Sequence, residues 1–370
     1  MRKKRPSAYT HAKISRRAVS LSRRPWARRG YATVPPAPYD VLFCGSDAFA
    51  CEAVAAIAHR PYLYRSLHVL TPPDVQHAWG AKRMRVSPVK QFAILHNIPQ
   101  TAVPPEGIDA YEPPSLIRDS HAPLLVTASF GHRIPPHLFS HFPSPSLTLN
   151  LPPSMLPAIR GAAPWQWAIA RQYTHTGMSV QQLHPTHFDR GGLLKQVRVP
   201  IPSHATYPAL ATALAPHAAE LLVDVIAHLP SYAANVQAQD PDRATRAPKL
   251  APRFSHIRWD SWDAATLDAR MRAFGYAQPL TTTLVPASSQ FAPVSCAIHE
   301  GHIMPSESIS LDRPGHAVFL PQEQTLALQT LSGVYGATRI QTRGKPVRSA
   351  ADWWRGFRDR ADAHGHIHFE

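Results

Sequence analysis

Residues 147–164, LTLNLPPSMLPAIRGAAP, restrict what this chain can fold into more than any other stretch. A short β-prone run ends in the polar Asn150, and four prolines and a glycine follow within fourteen residues. Proline fixes φ and carries no backbone N–H, so the stretch can continue neither as sheet nor as helix. It predicts a stiff loop leaving the end of a strand. Ligands of open α/β sheets bind outside the carboxyl ends of the strands. A rigid loop carrying an amide there is a candidate binding or catalytic loop. A proline-rich connection with no chemistry accounts for the same residues equally well.

At 370 residues the chain has room for two domains with real cores. Its three cysteines, Cys44, Cys51 and Cys296, have neither paired nor CxxC spacing. That argues against a disulfide framework or zinc site and for a reducing compartment. No run in the sequence approaches the roughly eighteen apolar residues of a membrane span. The net charge of +15 points to nucleic acid until it is located. Residues 1–39 hold three Lys and eight Arg and no acid, which leaves +4 for the rest. An Arg- and Ser-rich, acid-free leader ending RRGYATVPP has the composition of a mitochondrial transit peptide cleaved near Tyr31. A basic arm that binds nucleic acid is the other reading. We assign residues 1–38 to this leader.

From Tyr39 the pattern becomes α/β. Val41–Cys44, Leu67–Leu70, Leu124–Ala128, Leu147–Leu149, Met178–Leu183 and Leu193–Val199 read as strands. A single glycine, Gly45, follows the first strand, so the three-glycine dinucleotide fingerprint is absent. Residues 71–86 read as a long loop. A helix over 207–229 is expected to kink or divide at Pro216. Residues 230–248 lack apolar period and read as a linker between a domain at 39–229 and one at 249–370. In the second domain a helix at 263–274, with Gly275 as its cap, precedes short β-prone runs. These suggest a small barrel, and a last helix is capped by Ser349.

In order, VLFCGSDAF (41–49), SPVK (87–90), ASFGHRIP (128–135), LNLPPSMLPAIRGAAP (149–164) and GMSVQQLHPTHFDRGGLL (177–194) resemble motifs of the methionyl-tRNA formyltransferases. WDSWDAATLDARMRAF (259–274) and GKPVRSAADWWRG (344–356) resemble the start and end of that family's second domain. The resemblance covers roughly residues 39–360, and the HPTHFDRG form and the leader look like a fungal mitochondrial member. It implies an α/β fold: a Rossmann-like formyltransferase domain followed by a smaller OB-like β-barrel that binds tRNA. It also implies transfer of a formyl group from 10-formyltetrahydrofolate, without a metal, to the amine of initiator methionyl-tRNA. The protein would then be a monomer of the mitochondrial matrix, free of the membrane.

The same resemblance assigns the site. Asn150 and Asp189 match two of the family's three catalytic residues. Gly131 and the segment Ser154, Met155, Leu156 and Pro157 match its folate contacts, and Lys82, Arg83 and Arg85 its tRNA-facing loop. Where the family has its catalytic histidine, this chain has Pro152, which has no donor of any kind. Three readings stay open: a slower enzyme using Asn150 and Asp189, a substitute among His132, His184 and His187, or a binding protein without catalysis. A rival reading is a small-amine formyltransferase.

Overall fold

The computed structural model describes residues 39–76, 84–305, 309 and 311–370. The transit-peptide reading, and the assignments of Lys82 and Arg83, fall outside the described residues.

The first half is built on β1 (Tyr39–Gly45), β2 (Tyr64–Thr71), β3 (Val75–Gln76), β4 (Met84–Arg85), β5 (Gln100–Ala102), β6 (Pro123–Ala128), β7 (Thr148–Asn150), β8 (His175–Gln182) and β9 (Leu193–Pro200). Seven of these form one sheet in the order β5-β2-β1-β6-β7-β8-β9. Pairing is parallel from β5 to β7 and antiparallel at β7–β8 and β8–β9. Alternation along β1 explains why both faces are covered. Val41 and Phe43 enter one core, with α1 (Ala48–Ala58), α2 (Pro88–Leu95), α5 (Pro164–Ala170) and α6 (Tyr207–Ala227). Leu42 and Cys44 enter the other, beneath α3 (Ser115–Arg118) and α4 (Pro136–Phe139). Side chains cap the first two helices: Asp47 accepts from the Ala50 N–H at 2.9 Å, and Ser87 accepts from that of Lys90 at 3.2 Å.

The second half contains α7 (Leu229–Ala233), α8 (Ala264–Phe274), β10 (Leu280–Val285), β11 (Val294–Ile303), β12 (His316–Leu320), β13 (Thr325–Gln329), β14 (Val334–Thr342), β15 (Arg348–Ser349), α9 (Ala350–Arg355) and β16 (His366–Phe369). Six strands close in the antiparallel order β11-β10-β16-β12-β13-β14, with β14 returning to β11. Trp259, Leu328, Tyr335, Trp353, Ile367 and Phe369 pack together in one cluster. The barrel is joined to the first half by aromatic packing. Trp167 of α5 meets Phe254 and Phe274 edge-on at 4.9 and 5.3 Å, and its Nε1–H donates to the Pro248 carbonyl at 2.8 Å.

Several expectations need correction. Residues 71–86 are not all loop, because β3 and β4 pair as a hairpin. The helix α6 runs through Pro216 undivided: the missing N–H costs one interior bond, and ten buried side chains along the helix hold it together. It is also long and apolar enough to cross a membrane by length and composition, which the sequence reading denied. More than half of that apolar stretch is buried in the fold, as in a core helix. Gly275 does cap α8 as expected, though in the right-handed region (φ −55). A Cβ there would sit 2.6 Å from the Met271 carbonyl oxygen. Residues 230–248 join the two halves and are tied to the first of them. They bridge to Leu193 through Gln237 and to Arg160 through Arg246, and Ala247 is fully buried. Finally, the chain ends in β16, a strand the sequence reading missed.

Candidate active site

The sheet order reverses between β1 and β6, and parallel strands leave a crevice outside their carboxyl ends at such a point. The Ser46 hydroxyl donates to the Ser129 carbonyl across that gap. Beside it lies a cavity of about 360 Å³. Thr127, Asn150, Pro152 and Asp189 line it, with Gly131, His132, His184 and His187. Phe130, Ile134, Phe139, Leu151 and Phe188 form its apolar walls. A second recess of about 340 Å³ adjoins it, sharing Ser129, Pro153, Ala162 and Pro164, and carries Asp47, Glu52 and Tyr207.

Asn150 is the last residue of β7, and the prolines after it end the strand there. The Thr127 hydroxyl, from neighbouring β6, donates to Asn150 Oδ1 at 2.8 Å. That bond fixes the amide rotamer: the oxygen faces Thr127, and Nδ2 has no protein partner among the described residues. Nδ2 is therefore a preorganised donor on a cavity wall. The loop behind it is stiff for reasons visible in its bonds. The Pro152 carbonyl accepts from the N–H of Ser154 at 2.8 Å and of Ser179 at 3.2 Å.

Asp189 adopts φ +55, a left-handed conformation that Asp tolerates better than most residues. Its Oδ2 accepts from the Gly161 N–H at 2.9 Å and its Oδ1 from Gln181 Nε2 at 3.1 Å. Burial pushes its pKa above the ordinary carboxylate value, against the pull of those two donors and of Arg160. Gly161 must be glycine here. Its φ is +132, and a Cβ would come within 2.3 Å of the Ala247 oxygen.

The histidines line the same cavity, but none bonds Asn150 or Asp189 among the described residues. His184 Nδ1 accepts from the N–H groups of Thr186 and His187 at 3.2 Å each, and the two rings meet edge-on at 5.1 Å. This leaves Nε2 of His184 as its donor nitrogen. Gly131 has φ +81 with nothing near its missing Cβ, so its glycine serves the backbone turn and leaves that wall open.

Ser154–Pro157 follows directly on Pro152 and Pro153 of the cavity lining. Ser154 and Leu156 are buried. The Ser154 hydroxyl donates to the Ala158 carbonyl, and the Leu156 N–H donates to Ser179 Oγ. Through these bonds the segment braces the loop from within. Arg85 is exposed at the base of the β3–β4 hairpin, apart from the cavity. Sequence reasoning missed Thr127, Gln181 and Phe188. Phe188 is the one with a local signal, an aromatic directly before Asp189, and it is 65% exposed in the structure.

A flat heteroaromatic group with a formyl arm fits this donor set, since apolar walls flank one fixed amide donor and one carboxylate. Among the described residues no His, Cys, Asp or Glu cluster is arranged to hold a metal ion.

Comparisons with known proteins agree with the geometry. The formyl transferase family model matches residues 71–226, and the model of the formyl transferase C-terminal domain matches 249–358. The chain is 28% identical over 328 residues to the mitochondrial methionyl-tRNA formyltransferase of Homo sapiens, covering 86% of this chain and 78% of that protein. It is 27% identical over 337 residues to that of Mus musculus, covering 89% and 81%. A crystal structure of a sugar 3N-formyl transferase with dTDP and 5-N-formyl-THF superposes with a TM-score of 0.54 at 14% identity, covering 84% of this chain and 99% of that one. At that identity the likeness speaks for the fold alone. The chain belongs to the formyl transferase family and carries both its N-terminal domain and its C-terminal domain.

Proposed function

We propose that this enzyme moves the formyl group of 10-formyltetrahydrofolate onto the amine of methionyl-initiator tRNA, in the mitochondrial matrix, after loss of the leader. One observation carries the reading: Asn150 and Asp189, 39 residues apart in sequence, line one cavity at the carboxyl edge of the sheet. The folate co-substrate supplies an activated formyl carbon. Attack by the amine places negative charge on the formyl oxygen, and Asn150 Nδ2 is held ready to donate to it. Asp189 takes the proton that the amine sheds; the tetrahedral adduct then collapses, the bond from the formyl carbon to N10 breaks, and N10 leaves as tetrahydrofolate with a proton returned to it. No histidine stands at position 152, and none of His132, His184 and His187 bonds Asp189 among the described residues, so the carboxylate acts directly. The recess carrying Asp47 and Glu52 is the approach for the positively charged amine.

On the barrel, Lys345, Arg348, Arg355 and Arg360 line a groove beside Trp353. That basic wall and Arg85 suit the phosphates of a tRNA acceptor arm. The test is formylation of methionyl-initiator tRNA by the mature protein, wild type beside Asn150→Ala, Asp189→Asn and Pro152→His. Activity in wild type and its loss in the first two variants are expected. Full activity in Asn150→Ala would sink the site, and tRNA binding without formylation would sink the enzyme. Pro152→His inserts a donor into the cavity but also a buried N–H, which costs about 1–3 kcal/mol if left unpaired. We therefore expect a less stable protein. A change in rate would measure how much an imidazole there adds.

A further inference from the structure

Asp189 is tied to residues far along the chain by a directional row of side chains. The guanidinium of Arg160 donates to Gln239 Oε1 from Nη2 at 2.7 Å and from Nε at 3.3 Å. That pins the amide, and its Nε2 faces the other way. Nε2 donates to Gln181 Oε1 at 3.1 Å and to the Gly191 carbonyl at 2.8 Å. Gln181 is 1% exposed, and with its oxygen taken by Gln239, its own Nε2 is turned onto Asp189 Oδ1 at 3.1 Å. Every link runs donor to acceptor in one sense, from cation to carboxylate. An amide has no preferred orientation by itself, so the sense is set by Arg160.

We propose that Gln239, supplied by the segment that joins the two halves, is a positioning residue for Asp189. It acts through Gln181 to keep an N–H on the reacting carboxylate. The proposal rests on Asp189 serving as the proton acceptor in formyl transfer. The segment is built to deliver this contact. Gln237 exchanges backbone hydrogen bonds with Leu193, and Ala247 and Thr245 bond Arg160, so residue 239 is tethered from both sides. The groups that face or flank Asp189 are Arg160 from the proline loop, Arg190 next to it, His184 and His187 in its own loop, and His132 and Arg133 across the cavity. Among the described residues the relay is the one neutral, hydrogen-bonded counterweight to burial on the Oδ1 side.

The test uses the full mature chain and two readouts: the pH dependence of kcat/KM and a ¹³C titration of the Asp189 carboxyl. Gln239→Glu keeps the length and the bond to Arg160 but has no N–H to give, so Gln181 must turn its oxygen towards Asp189. Gln181→Met removes the last donor at similar volume. Each should raise the Asp189 titration and the acid limb by roughly one unit, which lowers kcat/KM about ten-fold at pH values below that limb. The double variant should go no further than Gln181→Met. Gln239→Met serves where the added charge prevents folding. Additive shifts, or a titration that stays at the wild-type value in Gln239→Glu and Gln239→Met, would overturn the proposal. Asp189→Asn separates the two levels: if it keeps full activity, the catalytic reading falls, while the ¹³C titration still judges the relay.

Discussion

The two halves of this molecule solve the edge problem of a β-sheet in opposite ways. The first half leaves its sheet open, and the reversal of strand order at β1 and β6 leaves polar loop ends around a cavity. The second half closes six strands on themselves and fills the interior with Trp259, Trp353 and Phe369, which stack with ring centres about 6 Å apart. Closure removes edges and also removes space. Chemistry therefore collects in the open half, and the closed half can offer only its outer surface. The difference teaches where each kind of substitution should register: as rate in the sheet, as stability or affinity in the barrel.

The barrel is the easier to break. β16 lies between β10 and β12 and is the strand that completes the closure. Phe369, 2% exposed, is its anchor. Phe369→Ala should cost about 3–5 kcal/mol of stability, read as a lower urea midpoint, with kcat unchanged for the molecules that stay folded. In the open half, Asn150→Ala should leave the urea midpoint nearly untouched and lower kcat by roughly 10²–10³-fold, the usual loss for one oxyanion donor. Loss of stability in the second variant and of kcat in the first would reverse the assignment of roles.

A subtler variant tests orientation in place of presence. Thr127→Val keeps the shape of the side chain and removes the hydroxyl that holds Asn150 Oδ1. Its amide is then free to turn, and we expect kcat to fall roughly ten-fold, a smaller loss than removal of the donor. Nothing local in the sequence announces Thr127, and the reason is general. The strands and helices were legible because their periods are local, as in β1, where alternate residues face opposite cores. Asn150 and Asp189 were legible because their neighbours form a recognisable pattern. Gln181 and Gln239 bond each other across 58 residues, and a polar pair that far apart leaves no period. The ties of segment 230–248 were hidden for the same reason. Its backbone bonds Leu193 at the start of β9 and Arg160 in the proline loop, and such isolated bridges leave no apolar period. β16 was different: the alternation of Ile367 and Phe369 was there to be seen at the end of the chain.

The smallest effect separates the halves by pH. Asp40, at the start of β1, is partly buried, which by itself raises its pKa. The hydroxyls of Ser120 and Ser66 donate to it at 2.6 and 2.7 Å and Arg65 at 2.8 Å. Together these outweigh burial and hold it below its ordinary value. A carboxyl whose pKa is lower in the folded state than in the unfolded one binds fewer protons when folded. Its contribution is then present above the unfolded pKa, about 3.9, and is lost as pH falls through the folded value. Unfolding of the sheet half, followed by tryptophan fluorescence or hydrogen exchange in β1 and β2, should therefore become easier below about pH 4. Asp40→Asn should remove about 1–2 kcal/mol at pH 7 and flatten that acid dependence. An acid dependence unchanged by Asp40→Asn would show that other carboxylates set it, and the sheet would lose its distinction from the barrel on this measure.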